Sequence, residues 1–179
     1  LDHGFCSLLI SKAAEQFGTV DGVVANVGGG GGSDDPNNHD WHDWSHCIEL
    51  NVRHSIDLLV SSIPYLESGH GGSVVFVSSV SGHRNDPGLQ YGASKSMLSY
   101  VARSYGRLLA EKGIRVNSVS PGSLTDQGSH WTKLQEANRT EWERFVAESF
   151  PFGRMGTFQE VADVIIFLLS QRSSLVNAC

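Results

Sequence analysis

Val74-Val75-Phe76-Val77-Ser78-Ser79-Val80-Ser81-Gly82-His83-Arg84-Asn85-Asp86-Pro87-Gly88-Leu89-Gln90-Tyr91-Gly92-Ala93-Ser94-Lys95 is the stretch whose reading decides the fold. It opens as a short, wholly apolar run, which reads as a strand buried on both faces, and it closes in an amphipathic helix from Tyr91. Tyr91 and Lys95 stand four apart and share one face of that helix. A free phenol titrates near ~10, and an ammonium within ~4–6 Å favours the phenolate. A tyrosine and a lysine so placed suit general acid–base work, and Ser79 at the strand end is positioned to hold a substrate oxygen.

Outward from this stretch the same alternation repeats. Phe5, Leu8, Leu9, Ala13 and Phe17 recur at helical spacing, and Gly18 follows as the terminating glycine. Val20 to Asn26 reads as a strand. The glycine run 28–32 lacks the Gly-Lys-Ser/Thr of a P-loop, so backbone freedom is its expected role. A long helix is expected over Trp41–Leu66, burying Ile48, Val52, Ile56, Leu59 and Ile63, with Pro64 ending or kinking it. Strands are expected at Ser73–Ser78 and Ile114–Val119. Between them lies the helix Tyr91–Lys112, burying Leu98, Val101, Ala102, Tyr105, Leu108 and Leu109 and closed by Gly113. Thr157-Phe158-Gln159-Glu160 is a capping-box pattern that opens a last helix through Leu169. The expected fold is α/β: a partial, Rossmann-like, doubly wound parallel sheet in one domain over residues 1–179, with three recognisable strands and flanking helices.

Composition narrows the function classes. The formal charge of −6 argues against nucleic acid or an anionic membrane as partner. No apolar run approaches the ~20 residues that span a bilayer. Cys6, Cys47 and Cys179 show no paired spacing, which suits a reducing, cytoplasmic setting. His39, His42 and His46 are spaced as metal ligands can be, but Trp41 and Trp44 share the segment. A solvated or subunit-facing helix start is therefore the preferred reading, and no metal is expected. Asn138-Arg139-Thr140 has the form of a glycosylation sequon, which carries no meaning in the cytoplasm.

Tyr91-Gly92-Ala93-Ser94-Lys95 after Ser78-Ser79-Val80-Ser81-Gly82 resembles the short-chain dehydrogenase/reductase family. Ala25-Asn26-Val27-Gly28 is similar to that family's Asn-Asn-Ala-Gly segment, with alanine in first place. Ser120-Pro121-Gly122 matches its loop against the nicotinamide, and Glu49-Leu50-Asn51-Val52 matches its helix asparagine. The resemblance implies an NAD or NADP-dependent oxidoreductase interconverting a carbonyl and a secondary alcohol. In it Tyr91 is the acid/base, Ser79 orients the oxygen, Lys95 assists the tyrosine and binds the nicotinamide ribose, and Asn51 anchors a relay water. Asn26, Gly28, Pro121, Gly122 and Thr125 are implied cofactor contacts. The partner is a small carbonyl or alcohol substrate, and a homodimer or homotetramer is implied through the helices over 41–66 and 91–112.

Family members carry two further strand–helix units ahead of the point matching Leu1, and a last strand after Ala178-Cys179. The chain is therefore expected to be a fragment, inactive alone, with its first strand left as an exposed apolar edge. A catalytically silent subunit or scaffold, and a nucleotide-sugar epimerase or dehydratase, are the rival readings.

Overall fold

The computed structural model describes all residues except 1–3, 36, 38–39, 69–70, 85–87 and 126–129. Three parallel strands, β1 (Gly22–Ala25), β2 (Gly72–Val77) and β3 (Ile114–Val119), lie in the order β1-β2-β3. Val23 is level with Val74, and Val74 with Val116, so the apolar positions stack across the sheet. Between successive strands the chain passes through helices, as parallel pairing demands.

Helix α1 (Phe5–Phe17) precedes β1; Gly18, at φ +82°, ends it and donates its N–H to Ala14 O. The helix forms where its apolar spacing places it, but the stripe Phe5, Leu8, Leu9 and Phe17 is exposed. Ile10, Ala13 and Ala14 make the inward face instead. β1 is an edge of the sheet, and Val24 on it is 37% exposed, in line with the expected apolar edge.

The helix expected over 41–66 is helical throughout but not uniform. Helix α2 (Trp41–Ile48) passes into a π-helical turn at Glu49–Arg53 and then into α3 (His54–Ser68). Asp40 caps α2 by accepting from His42 N–H at 2.9 Å. Pro64 neither ends nor starts α3, which runs on to Ser68. Val60, whose carbonyl loses its helical donor to the proline ring, is exposed, so water can serve that oxygen.

Helix α4 (Leu89–Leu109) begins two residues before Tyr91 and gives way to a tight 3-10 turn at Ala110–Lys112. Leu98, Ala102 and Leu109 are buried as expected, while Leu108 is 72% exposed near the helix end. The core is formed by Val74 and Phe76 of β2, Ile114 and Val116 of β3, and Val52, Leu59, Leu66, Leu98 and Ala102 from the helices.

Beyond β3 come two short helices, α5 (His130–Ala137) and α6 (Arg139–Ser149), then α7 (Phe158–Leu169). The Thr157–Glu160 capping box is present, with Glu160 also gripping Arg154 at 2.6 Å. That guanidinium, with the N–H and hydroxyl of Thr157, holds the Glu160 carboxyl at about 2. The terminal residues lie along the far side of β3: Ala178 N–H donates to Val116 O, and Ser118 N–H donates to Cys179 O. No described helix is long and apolar enough to cross a membrane.

Candidate active site

All three strands end on one side of the sheet, and the side chains singled out in the sequence gather there. Asn26 and Gly28 follow β1, Ser78 and Ser79 follow β2, and Pro121, Gly122 and Leu124 follow β3. With Gly29, Val77, Tyr91 and Lys95 they line a cleft of about 230 Å³. Ser79 is in extended conformation at φ −159°, and its Oγ accepts from Ser81 N–H at 3.2 Å. That bond fixes the serine oxygen at the start of a 3-10 turn, Val80–Gly82, and leaves the hydroxyl proton for another acceptor.

Lys95 is only 5% exposed. Its Nζ donates to Val77 O at 2.9 Å and lies 5.8 Å from the centre of the Tyr91 ring. Burial pushes the Lys95 ammonium below the ordinary lysine range. Ser78 holds the same turn of α4 from behind: its Oγ donates to Lys95 O at 2.8 Å and receives a bond from Ser99 Oγ at 2.8 Å. The strand end and the helix are thus bonded through residues with no reactive part of their own.

Asn51 sits in the π-helical turn and is fully buried. Its Nδ2 donates to Cys47 O at 3.0 Å, four residues back, so the amide serves a carbonyl that an α-helical ladder would pair with backbone. It also donates to Gly29 O and accepts from Gly29 N–H, both at 3.1 Å, which ties the glycine loop to the helix. A Cβ on Gly28 would stand 2.7 Å from Asn51 Oδ1 and 3.1 Å from Lys95 Nζ. Close approach, rather than backbone freedom, is therefore what Gly28 answers; in the run 28–32 only Gly32 takes a positive φ, +96°.

Thr125 does not reach the cleft lining, which stops at Leu124; its N–H donates to Gly156 O at 2.9 Å. His54, three residues beyond Asn51, is a residue the sequence did not mark. Its Nε2 meets Ser55 Oγ at 3.0 Å, and its buried Nδ1 has no hydrogen-bond partner among the described residues. Burial first, and then the Lys95 charge, push the imidazole below its usual range; the nearby Glu49 and Val27 carbonyls oppose this without bonding Nδ1. His39 lies outside the described residues, and His42 and His46 stack at 6.4 Å on an exposed face. No group of three or more His, Cys, Asp or Glu able to hold a metal occurs among the described residues.

Functional groups collected beyond the carboxyl ends of parallel strands define the nucleotide-binding class of α/β proteins. Within that class the match is specific. A family model described as Enoyl-(Acyl carrier protein) reductase covers residues 2–179. The 3-oxoacyl-(acyl-carrier-protein) reductase of Thermotoga maritima is 32% identical over 170 residues, covering 94% of this chain and 66% of that protein. The 7alpha-hydroxysteroid dehydrogenase of Escherichia coli is 31% identical over 173 residues, covering 96% and 65%. A solved 7 alpha-hydroxysteroid dehydrogenase, complexed with NADH and 7-oxo glycochenodeoxycholic acid, matches with TM-score 0.85 at 29% identity, over 99% of this chain and 67% of that one. ElxO with NADP bound, at 21% identity and TM-score 0.87 over 99% and 71%, shares the fold. The chain belongs to the short-chain dehydrogenase/reductase family. It spans 63–66% of the length of these curated relatives and of an isoepoxydon dehydrogenase from Penicillium expansum.

The cleft fits the nicotinamide end of a dinucleotide. Gly28 leaves open the space that a Cβ would fill, the Lys95 ammonium borders it, and Pro121-Gly122 form its third wall.

Proposed function

We propose that this protein is an NAD(H)- or NADP(H)-dependent oxidoreductase that interconverts a carbonyl and a secondary alcohol. The observation that carries the reading is the convergence of Ser79, Tyr91 and Lys95 on one cleft, with Gly28 bare beside them. The relatives' printed names, a reductase and a hydroxysteroid dehydrogenase among them, support the same chemistry, and both NADH and NADP occur in the structures it resembles. A nicotinamide cofactor, when bound, would supply or accept the hydride.

The chain's own residues do the rest. Tyr91 gives the proton to the substrate oxygen in reduction and takes it back in oxidation. Ser79, its oxygen already held by Ser81 N–H, turns its proton to the same substrate oxygen and fixes its position. Lys95, anchored on Val77 O, places a positive charge beside the Tyr91 ring, where it stabilises negative charge on the phenol oxygen. It also donates to the ribose. Asn51, held by Cys47 O and Gly29, keeps the helix open at the π-helical turn, where a backbone carbonyl can hold a relay water. Asn26, Pro121 and Gly122 border the nicotinamide, and Thr125 reaches its carboxamide after a small shift of the segment that follows β3.

The 179-residue chain by itself turns over no substrate. Its glycine run 28–32 leads into no helix directly, since α2 begins only at Trp41. Among the described residues, that run therefore offers no helix N-terminus to a pyrophosphate. Orientation is worth about 7–11 kcal/mol of barrier, and a cofactor held by its nicotinamide end alone forfeits much of it. Assembly uses the exposed face of α4, where Tyr100 and Arg107 point outward, to make a homodimer or homotetramer of the whole protein.

The test is calorimetric titration of NAD(H) and NADP(H), with a turnover assay on a simple ketone, run on this chain and on a version extended at its N-terminus. Cofactor binding and turnover by the extended protein alone are the expected result. Binding and turnover by this chain overturn the dependence on a further segment. No cofactor binding by either protein overturns the oxidoreductase reading in favour of a silent subunit.

A further inference from the structure

Helices α5 and α6 make their extended packing with each other, and α6 buries none of its residues against the rest of the protein. What joins them is aromatic. Trp131 and Phe145 stack at 5.7 Å with 15° between their planes, and Trp142 is tilted about them, 6.2 Å from Trp131 and 6.0 Å from Phe145. The rings therefore form a corner, with one broad face and one inclined wall. That corner lines a cavity of about 470 Å³, to which, among the described residues, Ala137, Asn138 and Glu141 also contribute. Its size is that of a small-ligand pocket.

The polar rim has a sign. Glu141 Oε2 accepts from Asn138 Nδ2 at 2.9 Å, and Glu141 Oε1 accepts nothing among the described residues. Arg139, the nearest basic residue along the chain, is committed to Glu143 at 2.9 Å and does not line the cavity. A carboxylate thus stands at the exposed rim of a cavity whose described lining is otherwise two indoles, a phenyl ring, Ala137 and Asn138. Ring faces carry negative potential, strongest for tryptophan, so both parts of the lining favour a positive charge. A neutral apolar ligand would satisfy the rings and gain nothing from the carboxylate at the rim. The net charge of −6 adds a long-range attraction of the same sign.

We infer that the Trp131–Trp142–Phe145 corner with Glu141 is a binding site for an organic cation, an alkylammonium or quaternary ammonium group. The described lining of the site comes from α5, α6 and the Asn138 cap between them, and the inference does not depend on the hydride-transfer reading.

The experiment compares choline with 3,3-dimethyl-1-butanol, its neutral isostere of the same shape. Each is titrated into the nitrogen-15-labelled chain to about 50 mM, a range that reaches millimolar affinities. The indole N–H signals of Trp131 and Trp142 report the site, and those of Trp41 and Trp44, assigned by Trp41→Phe and Trp44→Phe, serve as internal controls. Choline is expected to move the Trp131 and Trp142 signals with at least about fivefold tighter binding than the neutral alcohol. Glu141→Gln is expected to remove most of that preference while leaving binding of the alcohol unchanged. Equal binding of both probes overturns the inference in favour of a plain apolar pocket. No movement of either signal, or movement only at Trp41 and Trp44, overturns the site itself.

Discussion

The cleft around Lys95 and the aromatic corner around Trp142 are built in opposite ways. In the cleft, polar groups are buried and spoken for: Lys95 by Val77 O, Ser78 by Lys95 O and Ser99, Asn51 by Cys47 O and Gly29. Its walls are α4 and the segments that directly follow the three strands. The corner belongs to two short helices held by three rings and one asparagine cap, with little else beneath them. One site is placed by the fold, and the other is placed mainly by itself. Chemistry needs the first kind of precision, while ligand choice tolerates the second.

The contrast breaks most visibly at Tyr91. In the protein extended at its N-terminus, Tyr91→Phe is expected to lower kcat by roughly 10²–10⁴-fold with circular dichroism unchanged, as for a lost acid–base group. A variant keeping most of its kcat would remove Tyr91 from the chemistry. Next comes Gly28→Ala. Its methyl would stand 2.7 Å from Asn51 Oδ1, so the loop or the Asn51 amide must move. Activity of the extended protein is expected to fall about 10²-fold through misplacement alone, with cofactor affinity reduced in parallel. Wild-type titration curves for that variant would show the approach to be slack.

The legibility of the two regions in the sequence differs for the same physical reason. β2, β3 and α4 are strong local patterns that the sheet also requires, so their residues read almost directly. Ser79, Tyr91 and Lys95 are singled out by side-chain identity and spacing alone, and the structure brings all three to one cleft. Lys95's anchor does not read, since a backbone carbonyl, Val77 O, leaves no trace in residue type. Nor does the π-helical turn, whose extra residue is signalled by no propensity. Leu108 and the α1 stripe mislead because apolar periodicity marks a helix without saying which face meets the core. Asn138, first in a sequon-like triplet, caps α6 by accepting from Glu141 N–H at 3.2 Å. The α5–α6 pair does not read, being short, polar and weakly periodic.

Smaller effects sharpen the comparison. Trp142→Leu removes a ring worth about 0.5–1.5 kcal/mol beyond its area. Amide exchange is expected to quicken across α5 and α6 while β2 and β3 stay protected. Equal quickening in the sheet would mean that the α5–α6 pair is coupled to the core. Smallest is a pH effect in the cleft. Burial holds the folded Lys95 below the ordinary lysine value, so between the two the unfolded chain binds more protons. Stability contributed by this residue therefore rises with pH through that window. Lys95→Met is expected to flatten the rise, measured as urea midpoints from neutral to alkaline pH, and an unchanged slope would show that the ammonium is well hydrated.

The π-helical turn at Glu49–Arg53 also sets a rule of tolerance for insertions and deletions. Such a turn holds one residue more than an α-helix needs over the same rise, so it is a stored insertion. Deleting any one residue from it lets the helix close into regular form. The turn takes up its extra residue locally, so α2 and α3 keep the faces they now present when it is lost. Cys47 O then regains a backbone donor, and Asn51 loses the carbonyl it serves. A lineage that drops one codon here keeps both helices and loosens the amide that ties Gly29 to them.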